Sequence, residues 1–125
     1  MRRDERGSSL VEFLGSALLI VLGLLALAQM AVWVWARGVT MNAAHEGARA
    51  AAGVGASEAR AEWQARAVLQ DGLGPTGRRF AVVSRRGDGV VHVVVRGEAP
   101  RLFGLLPAFP VEAAASVLDE STVLP

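Results

Sequence analysis

From Phe13 to Ala36 the chain carries no formal charge, and only small residues and Gln29 interrupt its Leu, Ile, Val and aromatic side chains. Crossing a bilayer takes roughly 20 apolar residues at about 1.5 Å rise each, so this run is long enough. The core helix of a small soluble protein needs far less. Apolar residues also surround the whole helix, so no water-facing stripe is specified. The segment reads as a membrane span, and whatever else the chain does must be arranged around it.

The 125 residues are 52% hydrophobic and 20% charged, which leaves room for one small domain beside the span. A domain of that size is marginal alone and gains from packing against the helix that leads into it. The formal charge is +1, with 13 basic against 12 acidic residues, all of the basic ones Arg. That balance gives no clustered basic face and argues against nucleic acid as a partner. Arg without Lys, with abundant Ala, Gly and Val, fits a GC-rich bacterial gene. Zero Cys excludes disulfides and thiolate chemistry without reporting a compartment.

Residues 1–7 form a short hydrophilic leader. Three Arg precede the span, and Arg37 and Arg49 follow it. By the positive-inside rule this favours a cytoplasmic N-terminus and an exported C-terminal part in a single-pass protein of the bacterial cytoplasmic membrane. Three processing readings compete. A secretory signal peptide would be cut near Ala26-Leu27-Ala28, leaving an apolar mature N-terminus from Gln29. An uncleaved signal anchor is the plainest. The third is a cut on the cytoplasmic side, after Gly7.

Nothing stops the helix sharply after Ala36. Arg37–Ala52 lacks Pro and is rich in Ala, although Gly38 and Gly47 each weaken a helix by about 1 kcal/mol. One helix is expected from about Leu10 to Ala52, with the span at about 13–36 and the first break at Gly53–Ser57. Val39, Ala43, Gly47 and Ala50 make a small-residue stripe that permits close approach by another backbone, in the same domain or a neighbouring subunit. Glu46 and Arg49 are spaced to pair on the helix surface.

Residues 53–125 read as a small exported α+β domain. A second helix is expected over Glu58–Gln70, with Ser57 as N-cap. Ala61, Ala65, Val68 and Leu69 give it one apolar face; Trp63 falls on the other side and needs its own contact. Turn residues from Asp71 to Gly77 end it. Arg79–Arg85 and Val90–Arg96 read as antiparallel strands joined at Arg86-Gly87-Asp88-Gly89. Val91, Val93 and Val95 share one face of the second strand. Pro100–Pro110 is a loop with an apolar tip, Val111–Leu118 a third strand, and Asp119–Pro125 a tail.

Catalytic motifs are absent. His45-Glu46-Gly47-Ala48-Arg49 resembles a helical zinc motif, but Arg49 stands where the second His is needed, and His92 is the chain's only other His. Arg86-Gly87-Asp88 spells an adhesion tripeptide, yet its position explains it as a tight turn. No Gly-rich phosphate loop follows a strand, and no Ser has an evident base. Neither an enzyme, a cofactor, a metal nor a small-molecule substrate is expected.

Glu12 carries more information. A carboxylate at the edge of a span is costly unless it reaches the headgroup layer or has a partner. It either marks the membrane boundary or pairs. Basic leader, Gly7, Ser8, then Glu at the fifth position after the Gly, then a long apolar helix: this order resembles the type IV prepilin signal. The resemblance implies cleavage by a prepilin peptidase between Gly7 and Ser8. Ser8, in place of the commoner Phe or Met, would be the new N-terminus, and Glu12 would neutralise that amine on a neighbouring subunit. Asn42-Ala-Ala-His-Glu-Gly-Ala-Arg-Ala-Ala-Ala52 narrows it further. Through Asn42, Ala43, Glu46, Gly47 and Arg49 it is similar to the TadE-like pseudopilins of the tight-adherence (Flp) pilus. That family implies a minor pilin or assembly factor working with other pilins and platform proteins. The rival class is an uncleaved, signal-anchored envelope protein unrelated to a filament.

Overall fold

The computed structural model of the chain describes residues 2–53 and 57–118. Its fold is α+β: one long helix, a second helix and a three-stranded antiparallel sheet. Helix α1 spans Arg2–Ala52, 51 residues. It begins well before Leu10 because Arg and Glu have helix propensities close to that of Ala, and Gly7, Ser8 and Ser9 weaken the helix without breaking it as Pro would. The chain divides into two compact units, Met1–Ala31 and Val32–Pro125. The first is a single run of α1.

In the second unit, the remainder of α1 packs with α2 (Glu58–Leu73). Ser57 caps α2 as expected, its hydroxyl accepting from the Arg60 amide at 3.3 Å. The helix runs three residues past Gln70, since Asp71, Gly72 and Leu73 complete another turn and bury Leu73. Gly74, at φ 59, then stops it. A 3₁₀ segment, Gly74–Arg79, follows with Pro75 in its first turn. The helices run antiparallel: Gly47 lies against Ala61 and Ala65, and Val39 against Gly72. The small-residue stripe thus admits a neighbour from the same chain.

The sheet is a meander of β1 (Ala81–Gly87), β2 (Val90–Glu98) and β3 (Pro110–Leu118). The β1–β2 turn has positive φ at both central residues, Asp88 (53°) and Gly89 (76°), the mirror-image geometry that matches strand twist. Strand β1 starts two residues later than its sequence pattern suggests, because Arg79 ends the 3₁₀ segment and Phe80 is its cap.

Val91, Val93 and Val95 are fully buried against the helices, together with Phe80, Ala43, Ala48, Ala61, Ala65 and Leu69. Each buried valine contributes roughly 1.5–3 kcal/mol relative to exposure. The helix side of this core is mostly alanine, so α1 and α2 can lie close to the sheet. Trp63 lies, as expected, on the side of α2 away from Ala61, Ala65, Leu69 and Leu73; it is 68% exposed, so the packing contact it was expected to need covers it only in part.

Candidate membrane and assembly helix

In the first unit, the apolar side chains of α1 point outward on every side. Leu10, Phe13, Leu14, Leu18, Leu19, Ile20, Leu22, Leu24 and Leu27 are all exposed. At 100° per residue these positions circle the helix. By length and composition the helix can cross a membrane, and none of its most apolar window is buried. Lipid or neighbouring helices are the natural cover for such a surface.

Gly7, Ser8 and Glu12 are exposed on the same run of helix. Ser8 and Glu12 stand at i and i+4, so their side chains lie on one face, one turn apart. Glu12 is the only acidic residue between Gly7 and Arg37.

The Asn42–Ala52 stretch lies in the second unit and divides by burial. Ala43 and Gly47 are in the core, Glu46 is half-buried, and Asn42 and Arg49 face outward. Arg49 and Glu46 form the expected ion pair at 3.4 Å. Its exposure limits its worth to under about 1 kcal/mol. His45 is exposed, and among the described residues no group of three His, Asp or Glu gathers to hold a metal.

Three contacts that anchor α1 in its domain were not legible beforehand. The Trp33 indole donates to the Pro110 carbonyl at 3.3 Å, and the Trp35 indole to the Gly72 carbonyl at 3.2 Å. The Arg37 guanidinium lies over the Trp33 ring, 5.6 Å from its centroid. The third anchor is Arg86, which donates to the Ala51 carbonyl at the negative end of α1. That commits the first residue of the Arg86-Gly87-Asp88 tripeptide to helix capping. Tryptophans in the last turn of an apolar run, followed at once by Arg37, were the one available signal for the first two, since such residues gather at membrane–water interfaces.

Comparison with family models finds a match to the TadE-like protein family over residues 7–49, which runs from Gly7 through the apolar segment to Arg49. No curated protein and no solved structure matches the chain.

Proposed function

We propose that this chain, TadE-like over residues 7–49 and so tied to the Tad pilus system, is a membrane-anchored pseudopilin that takes part in pilus assembly. The observation that supports this most is the helix itself: one uninterrupted α1 joins an apolar, uncovered first part to a second part locked in a folded domain. An element of that kind can leave a bilayer for a helix bundle while carrying its domain along.

In this reading a prepilin peptidase cuts between Gly7 and Ser8 on the cytoplasmic face. The domain lies on the far side of the cytoplasmic membrane. Other pilins and the platform proteins of the machine supply the neighbouring helices, and Glu12 of one helix pairs with the Ser8 amine of another. The role is structural, without catalysis. Either charge buried alone costs several kcal/mol, and pairing offsets part of that cost while fixing axial register.

Intact-mass measurement of the protein from its native host tests this directly. Loss of residues 1–7 is the expected result, and a bulky replacement such as Gly7→Leu should retain the leader. A full-length wild-type chain, or one beginning at Gln29, would sink the prepilin reading and leave the signal-anchored envelope protein.

A further inference from the structure

The loop between β2 and β3 is an ordered turn with an apolar tip. Its neck is closed by the Ala99 amide donating to the Phe109 carbonyl at 2.9 Å. Its tip is a hydrogen-bonded turn, Leu106 amide to Phe103 carbonyl at 3.2 Å, held further by the Arg101 guanidinium donating to the Leu106 carbonyl at 3.1 Å. This ordered turn carries apolar side chains at the surface: Leu102 and Phe103 are a little under half exposed, and Leu105 is 100% exposed. A structured turn that presents three large apolar groups in four positions calls for a cover.

Two contacts say which end of the domain it occupies. Trp33, one residue after α1 enters the domain at Val32, touches Pro110, the residue at which the loop ends. At the other end of the sheet, Arg86 beside the β1–β2 turn touches Ala51 near the end of α1. The loop is therefore at the end of the domain where the chain arrives from its apolar run, with Trp33 and Trp35 at the position of an interfacial aromatic belt.

Charge at this end agrees. An open cleft of about 700 Å³ beside the loop is lined by Thr76, Arg79, Arg96, Glu98, Pro100 and Arg101, three arginines against one glutamate. Arg96 also pairs with Glu112 at 3.7 Å. Arg101 has five N–H donors, of which the turn carbonyl takes one. Apolar residues flanked by arginine suit the boundary between acyl chains and anionic headgroups.

We infer that the Leu102–Leu106 tip inserts into the bilayer from which α1 emerges, with Arg79 and Arg101 facing the phosphates of anionic phospholipids. The domain is then held at the membrane surface by two elements rather than one. The inference rests on the membrane-anchor reading and is independent of cleavage or pilus assembly.

The chain has no cysteine, so single spin labels can be placed on the full-length protein by Leu105→Cys, Asp88→Cys and Leu22→Cys. In phosphatidylglycerol nanodiscs, collision with oxygen against a water-soluble nickel chelate reports the surroundings of each label. Leu105→Cys should resemble Leu22→Cys in the span, favouring oxygen several-fold over Asp88→Cys. In phosphatidylcholine nanodiscs that preference should fall. A Leu105 label that matches Asp88 while Leu22 reads lipid would overturn the docking and leave the anchor standing. If no label reads lipid, the anchor itself is wrong, and docking falls with it. An unchanged preference in phosphatidylcholine overturns the headgroup part. Shielding of Leu105 only by a crosslinked protein in native membranes would replace lipid with a protein occupant.

Discussion

Gly47 of α1 lies against the Ala61 carbonyl of α2: a β-carbon at position 47 would stand 3.0 Å from that oxygen and 3.2 Å from the Ala65 β-carbon. The helices meet where a side chain is missing. Gly47→Leu should force them apart and lower stability by about 1–3 kcal/mol, the usual range for overpacking. Gly47→Ala should stay within about 1 kcal/mol of wild type, because improved helix propensity opposes the tight contact. Urea unfolding in detergent, followed by the summed fluorescence of Trp33, Trp35 and Trp63, measures both. Equal behaviour of the two variants would show that the interface yields more easily than its geometry implies.

Arg86 caps α1 through the Ala51 carbonyl. Arg86→Gln removes the charge from the negative end of the helix and should cost about 1–2 kcal/mol. Asp88→Asn, by contrast, keeps a residue that tolerates positive φ in the turn and should be nearly neutral. A cell-adhesion role for the tripeptide predicts the reverse ranking of importance, with Asp88→Asn abolishing adhesion.

Glu12→Gln separates assembly from processing. The volume is kept and the charge removed, so the helix should still insert, and the chain should still be cut after Gly7. Crosslinks to pilin partners and pilus output should be lost. Wild-type assembly by this variant would reduce Glu12 to a boundary residue.

The proposed topology, with the N-terminus in the cytoplasm, rests on the arginines ahead of the span. A reporter active only outside the cytoplasm should work when fused after Leu118 and fail when fused after Arg6. The opposite pattern removes Gly7 from the cytoplasmic face, and with it access for a prepilin peptidase.

What the sequence determined by itself is local. Chain-neighbour physics was enough for the apolar run of α1, the Ser57 cap, the Asp88-Gly89 turn and the alternation of Val91, Val93 and Val95, because each depends on periodicity or on one residue's backbone preference. The Gly7/Glu12 spacing and the Asn42–Ala52 stretch were read as a family resemblance, and the TadE-like match over residues 7–49 takes in the first and most of the second. Tertiary structure decided everything that needs two distant segments. Whether the stripe through Gly47 would meet its own domain or a neighbour was open until α2 was seen lying on it. Trp63 stays mostly exposed because it faces away from the sheet on which α2 packs. Arg86 reaches Ala51 across 35 residues, and Trp33 reaches Pro110 across 77. No interval along the chain encodes such contacts; they exist only once the helices and sheet have packed, and they set which end of the domain the apolar loop occupies.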